Sequence, residues 1–258
     1  MESPNNVQNN PAQQLANQHY QEDIALSEQL LPGPNYQQRL AELHEYLGPN
    51  TYVEIGIREG KSLSKVRMPT LAIGIDPDYA IRFPIQSWCK LYKMTSDDFF
   101  ASHNLAVELG TAKVDFAFID GLHTFDQALK DFIHLEKCAG TNSIFVFHDI
   151  FPINERTSTR ERMTIFWTGD TWKVIRILLE NRPDLKLALV KTPPSGLLLV
   201  GNLDCHSNVL SESVDQLVQK YNEQSYSEYL EVRNNLVDQI PNDWTAIRQA
   251  IRKLTCRI

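Results

Sequence analysis

Val114-Asp115-Phe116-Ala117-Phe118-Ile119-Asp120-Gly121-Leu122-His123 is the stretch that decides the fold. It is apolar along nearly its whole length, as a strand covered by helices on both faces must be. It then stops in an acid, a glycine and, two residues on, a histidine. The carboxyl end of such a strand is where open α/β sheets take their ligands. A second unit of the same kind follows at Ile144-Phe145-Val146-Phe147-His148-Asp149. Two strands that each deliver an Asp and a nearby His to one sheet edge point to a reaction centre rather than to packing alone.

Around this pair the chain alternates short apolar runs with amphipathic stretches. The pattern predicts strands at Tyr52–Ile57, Leu71–Asp76, Lys90–Met94, Val114–Asp120 and Ser143–Asp149, with helices between them. The clearest helix is Phe125–Cys138, where Phe125, Ala128, Leu129, Phe132 and Leu135 share a face and Thr124 with Gln127 forms a capping box. Alternating strands and helices imply an α/β, Rossmann-like, mostly parallel sheet. Near its end, Lys186–Lys191 and Leu197–Leu203 flank Thr192-Pro193-Pro194-Ser195-Gly196, which reads as an antiparallel hairpin. A helix from Asp170 to about Asn181 precedes it, ended by Pro183.

The core domain is expected over residues 35–204. It opens on a helix with Tyr36, Leu40, Leu43 and Leu47 in register, stopped by Gly48-Pro49. Residues 1–34 form an N-terminal segment expected to be disordered or draped over the domain, because residues 1–21 hold ten Asn or Gln and little to bury. Residues 205–258 read as a helical extension. Trp244, Ile247, Ile251, Leu254 and Ile258 form its apolar stripe, and Arg248 and Arg252 lie on another face that reads as solvated.

Composition narrows the function. The 258 residues are 42% hydrophobic, enough for a sizeable core, and carry a net charge of -7, which disfavours nucleic acid as a partner. The cysteines Cys89, Cys138, Cys205 and Cys256 are dispersed and form no CxxC pair, as in a reducing cytosol. There is no apolar run of about 20 residues and no leader pattern, so a soluble cytoplasmic protein without a membrane partner is expected. The expected partners are a small-molecule substrate and a second copy of the chain through the helical extension.

The first predicted strand runs into Val53-Glu54-Ile55-Gly56-Ile57-Arg58-Glu59-Gly60-Lys61-Ser62. Gly56 and Gly60 permit a tight turn and close approach of a ligand. Neither the phosphate-loop spacing nor GxGxxG is met. Glu54 beside the turn disfavours a pyrophosphate and suits a cation. The second strand ends in Gly74-Ile75-Asp76, an acid placed to accept hydrogen bonds from ribose hydroxyls. Each acid alone reads more simply as a cap. As an ordered set at strand ends, they favour a nucleoside ligand.

Val53-Glu54-Ile55-Gly56 with Gly60 and Ser62, then Gly74-Ile75-Asp76, then Ile119-Asp120-Gly121-Leu122-His123 with Phe125, then Phe147-His148-Asp149 resemble a class I S-adenosylmethionine-dependent methyltransferase. Within that class the chain is similar to the branch with an IDGxHxY-like signature and a later HD pair, which includes small-molecule and sugar O-methyltransferases. The resemblance covers about residues 50–204 and implies a seven-stranded sheet with an antiparallel last strand. It implies S-adenosylmethionine at Glu54, Gly56, Gly60 and Ser62 (methionine part), Asp76 (ribose), Ser96 and Asp97 (adenine) and Asp120 (sulfonium). Ile57 stands where a glycine is common, Phe125 replaces the signature tyrosine, and Ile150 stands where related metal-dependent enzymes carry a third Asp or Asn.

The family order places Asp120 and Asp149 on neighbouring strands. Two carboxylates that close repel unless a proton or cation lies between them. Mg²⁺ or a similar ion at Asp120 and Asp149 is one expectation, a metal-free site the other. The catalytic candidates are Asp120 together with His123 or His148 as general base. The long connection Phe151–Gly169, with Arg156, Arg160 and Arg162, reads equally as a lid or as a solvated loop. The leading expectation is O-methylation of a small hydroxylated molecule, a sugar or natural product. Its rivals are a nitrogen or protein acceptor, a cofactor-binding scaffold without catalysis and, more weakly, a nicotinamide-dependent oxidoreductase.

Overall fold

The computed structural model describes residues 11–111, 113–235 and 237–255. Ile258 of the predicted stripe, Cys256 and residues 1–10 lie outside that range. The strands are β1 (Thr51–Ile55), β2 (Arg67–Ile75), β3 (Gln86–Tyr92), β4 (Val114–Ile119), β5 (Ala139–Phe147), β6 (Lys186–Val190), β7 (Leu197–Gly201) and β8 (Gln239–Ile240). They form one sheet in the order β3-β2-β1-β4-β5-β7-β6-β8. Only β7 runs against the others, pairing antiparallel with both β5 and β6. The predicted hairpin is therefore present. The seven expected strands are joined by an eighth, the two-residue β8 beside β6. The direction of chain progression reverses between β1 and β4, which opens a crevice at the carboxyl ends of those strands.

Successive residues of the central strands face opposite layers. Val53, Ile55, Ala117, Ile119, Phe145 and Phe147 point to one core. Helices α3 (Ser96–Ser102), α4 (Leu105–Leu109), α5 (Phe125–Glu136), α6 (Val174–Asn181), α7 (Val209–Asn222) and α8 (Tyr226–Asn235) supply most of the rest of that core. Tyr52, Phe116, Phe118, Ile144 and Val146 point to the other. This two-sided burial is why the strands read as unbroken apolar runs.

The second layer departs from expectation. Among the described residues no α-helix connects β1 to β2 or β2 to β3; the first link holds one 3-10 turn, Leu63–Lys65. The face those helices would cover is filled instead by α2 (Tyr36–Leu47) and α9 (Trp244–Leu254), through Leu40, Leu43, Leu47, Ile247, Ile251 and Leu254. Arg39 of α2 donates to Asn242 Oδ1 (2.7 Å) and to the Asn242 carbonyl (2.8 Å), which ties the two ends of the chain together. The capping box also fails. The Thr124 side chain caps nothing, and the first amide of α5 donates to Asp170 Oδ1 at 3.0 Å from 45 residues away.

Residues 11–30 form helix α1 (Pro11–Leu30), which polar contacts hold in place. Asp23 is 1% exposed and accepts from Arg156 Nη2 (2.7 Å) and Asn154 Nδ2 (2.9 Å), and Ser27 donates to the Pro194 carbonyl (2.7 Å). Of the two expectations for this segment, disordered or draped over the domain, its described part takes the second form, docked against the connection after β5 and the β6–β7 hairpin. Asp23→Ala is expected to loosen that docking by about 1–3 kcal/mol, the cost of leaving buried hydrogen-bond partners unpaired. Hydrogen exchange checks it: amides of α1 should exchange faster while those of α5 keep their protection.

Candidate active site

The site is built where β4 and β5 end. After Ile119 the chain turns through Asp120, Gly121 and Leu122 to His123, whose φ of +61° lies in the left-handed region. After Phe147 it passes His148 to Asp149, at φ +54°. Both conformations are uncommon for residues with a side chain and persist only where the surroundings enforce them. For His123 the enforcing group is the Gly169-Asp170 backbone. The Asp170 amide donates to the His123 carbonyl at 3.1 Å, and Gly169 has φ +63° with its missing Cβ pointing at that carbonyl. For Asp149 it is Ser195 of the hairpin, whose hydroxyl donates to Oδ1 at 2.5 Å.

Four side chains converge. His148 Nδ1 lies 3.0 Å from Asp120 Oδ1 and 3.4 Å from Asp149 Oδ2, so it bridges the two acids. His123 presents Nδ1 at 3.0 Å to Asp149 Oδ2 and Nε2 at 3.5 Å to Asp120 Oδ1. The Ser195 hydroxyl also lies 3.3 Å from His148 Nε2. Tyr36, at the start of α2, covers the His148 ring at 4.1 Å between centroids.

Burial alone would push both carboxyls up, but the two imidazoles outweigh it and hold Asp120 and Asp149 below the ordinary carboxylate range. The same attraction reverses the effect of burial on the histidines. His148 is pushed up to about 10, and His123 well above its usual value. At neutral pH the cluster is thus two carboxylates neutralised by two imidazolium rings. In that state neither histidine is ready to accept a proton.

The donor atoms of Asp120, His123 and Asp149 lie within 4.8 Å of one another. His123 Nδ1 and Asp149 Oδ2 are buried and, although 3.0 Å apart, make no well-aligned hydrogen bond. A cavity of about 10 Å³ touches Asp120, His123, His148 and Asp149, room for one ion or one water. Orphaned buried donors converging on an ion-sized space fit a divalent cation. A ligand set of two carboxylates and an imidazole is also one that transition metals accept.

The remaining predicted residues are placed differently. Gly56 has φ +87°, and a Cβ there would fall 2.0 Å from the Asp120 carbonyl, so glycine is what lets the turn after β1 meet the end of β4. Asp76, at the end of β2, accepts from the Arg58 amide (2.8 Å) and the Asp78 amide (2.7 Å). Ser96 and Asp97 share the Gln127 amide group at 3.1 and 2.9 Å, with Asp131 as its third partner. Glu54 is fully buried, with its two oxygens held by the hydroxyls of Ser62 and Tyr52. It has no solvent-facing edge. Gly60 is covered by Ile81, whose side chain comes within 2.9 Å of the missing Cβ.

Four residues of the site carry no sequence signal for their roles: Tyr36, Ser195, Trp167 and Asp170. Trp167 stacks on the His123 ring at 5.3 Å and 17°, its indole N–H held by the Thr159 carbonyl at 2.6 Å. Trp172 packs in the core against Tyr229. The connection 151–169 is folded over the site. Arg160 pairs with Asp126 (2.9 Å) and Arg156 with Asp23 (2.7 Å), so neither is free for a substrate.

Residues 53–150 match the model of a family described as a methyltransferase domain. That segment runs from β1 to the end of the Phe147-His148-Asp149 unit, so the crevice and its four-residue cluster lie within it. Residues 53–150 are thus similar to a methyltransferase domain, and they lie on a Rossmann-like, mostly parallel sheet. Among solved structures, the O-methyltransferase TomG from Streptomyces achromogenes, involved in tomaymycin synthesis and solved with S-adenosylmethionine, is similar at 13% identity and a TM-score of 0.49, over 70% of this chain and 87% of that one. An O-methyltransferase from Bacillus cereus, solved with S-adenosylhomocysteine, is 13% identical with a TM-score of 0.48, over 72% of this chain and 90% of that one. At such scores the likeness carries no inference about this chain's activity. No curated protein matches the sequence. Among the described residues no helix is long and apolar enough to cross a membrane.

Burial pushes the Glu54 carboxyl up to about 8, with the Ser62 and Tyr52 hydroxyls offsetting part of the effect. The folded chain therefore holds a proton that the unfolded chain releases near pH 4.5. This contribution to stability is complete below about pH 4.5 and is lost as pH rises through about 8. Glu54→Gln is expected to flatten the fall in stability between pH 5 and 8 by up to about 1.4 kcal/mol per pH unit, read as urea midpoints across that range.

Proposed function

We propose that this chain is an S-adenosylmethionine-dependent O-methyltransferase acting on a hydroxyl of a small molecule, a sugar or natural product. The observation that carries the proposal is the pair of carboxylates, half-buried Asp120 and buried Asp149, with His123 against both at the carboxyl ends of β4 and β5. Methyl transfer is a direct displacement: the acceptor oxygen forms a bond to the methyl carbon as the carbon–sulfur bond breaks, and the hydroxyl proton leaves. The site must then align the oxygen and take its proton.

Asp120, His123 and Asp149 would hold Mg²⁺ or a related divalent ion. Such an ion supplies charge that lowers the pKa of a bound hydroxyl. With the ion bound His123 would be one of its ligands and take no proton; in a metal-free site His123, more exposed than His148, is the better-placed proton acceptor. His148 is sealed between the two carboxylates and Ser195, and its role is to hold them together. Asp76 would accept from the ribose hydroxyls, and Ser96, Asp97 and Gln127 would form the polar wall at the adenine.

The closure of Ile81 over Gly60 and the small cavity favour a second reading, a shell that has lost catalysis. Calorimetry with S-adenosylhomocysteine separates the two. The enzyme reading expects binding that NAD does not reproduce, and no binding would end it. Loss of turnover after stringent chelation, restored by a divalent ion, supports the metal, whereas full activity without metal removes it. Ser195→Ala should lower the affinity for that ion or the turnover by about 10- to 100-fold, as loss of a group orienting a ligand does. Unchanged values there would take Ser195 out of the site.

A further inference from the structure

A second cleft, of about 700 Å³, lies between β6, β8 and α9 at the far end of the sheet from β3. Strand β6 runs parallel to β5, since β7 opposes both. Its first residues, Lys186 to Ala188, therefore sit towards the sheet edge opposite the carboxyl ends that carry Asp120 and Asp149. They line the cleft, which shares no lining residue with the cavity of the candidate active site. From α9 the wall is Ala246, Gln249, Ala250 and Lys253, spaced by three and four residues and so on one face of that helix. One helix face and one sheet edge thus bound a single space, of the size of small-molecule sites, about 300–1,000 Å³.

The lining has two chemistries. Ala188, Ala250 and Leu254 are buried and form an apolar floor with Ile240 beside them. The alanines are what leave the space, because larger side chains there would fill it. No Phe, Tyr, Trp or His is among the lining residues, so no ring is offered for a flat ligand to stack on. The rim is basic. Lys186, Arg252 and Lys253 are exposed, and none has an ion pair among the described residues. Arg252 makes one long hydrogen bond, from Nε to the Tyr46 hydroxyl at 3.4 Å. Asp238 is the acid of the lining. Three cations against one acid reverse the sign of a chain whose net charge is -7. Arg252 and Lys253 stand in the last turn of α9, where cations offset the helix dipole. Lys186 comes from a strand and has no such task.

We propose that this cleft binds a small amphiphilic anion, with an aliphatic chain over Ala188 and Ala250 and a carboxylate or phosphate head held by Lys186, Arg252 and Lys253. The basic rim selects the charge, and the alanine floor without rings selects the chain. Nothing in this depends on the methyltransferase reading above, because the cleft shares no residue with that site.

Calorimetry on the full chain at low salt tests it with four probes: octanoate, octyl phosphate, neutral octanol and chainless acetate. One of the two octyl anions is expected to bind about tenfold more tightly than octanol and than acetate, as charge-assisted hydrogen bonds add to the buried chain. The tighter of the two identifies the head group. Raised salt should weaken the anion and leave octanol unchanged. A Lys186→Gln/Lys253→Gln variant, altered only at exposed positions, should bind the anion no better than octanol. Ala246→Leu, which narrows the cleft, should weaken octanol and the anion alike. Urea midpoints equal to the parent's show that both variants are folded. Equal affinity for anion and octanol, no binding of either octyl anion, or a lysine variant that binds the anion as well as the parent does would each overturn the proposal.

Discussion

Two carboxylates held side by side, Asp149 buried and Asp120 half-buried, are the constraint on which the rest of this structure depends. They follow adjacent parallel strands and repel each other when both are ionised unless positive charge lies between them. His148 supplies it from below, bridging the two acids, and His123 supplies it from the mouth. The uncommon backbone at His123 and Asp149, the glycine at 169 and the hydroxyl of Ser195 all serve to hold these four groups in place. The same arrangement gives the site its chemistry, because a cluster that already needs cations is one a metal ion can enter in exchange for a proton.

The ends of the chain complete what the middle leaves open. Short links between the first three strands leave one face of the sheet without crossover helices, and α2 and α9 cover it. One consequence reaches the site directly. Tyr36, the first residue of α2, lies on the His148 ring and donates its amide to the Pro193 carbonyl of the hairpin that carries Ser195. Helix α1 then latches the hairpin and the overlying connection through Ser27 and Asp23. Segments that look like appendages in the sequence thus become walls of the crevice.

This explains what could and could not be read beforehand. Asp120, His123, His148 and Asp149 were legible because a buried strand that stops in an acid is a local signal. The hairpin was legible because Thr192-Pro193-Pro194-Ser195-Gly196 is turn chemistry. Ser195 as a partner of Asp149 was not, since a serine in a turn has a sufficient local explanation and the contact spans 46 residues. Asp170 as the cap of α5 and Trp167 as the cover of His123 were hidden for the same reason: each acts on a residue more than 40 positions away. Helix α1 was hidden because it is held by polar contacts and lacks the apolar stripe that periodicity detects. Glu54 was read towards a ligand because of its place at the end of the first strand; strand alternation turns it to the Tyr52 side, where the hydroxyls of Tyr52 and Ser62 hold it.

Nitrogen-15 chemical shifts of the imidazole rings test the central claim most directly, recorded on the metal-free protein from pH 6 to 10. The account predicts that His148 stays a cation through pH 8 and titrates near 10, and that its signal changes when Asp120 is replaced by Asn. A neutral His148 ring at pH 7 would mean that the acids are not held as an ionised pair, and the reading of the site built on them would be contradicted.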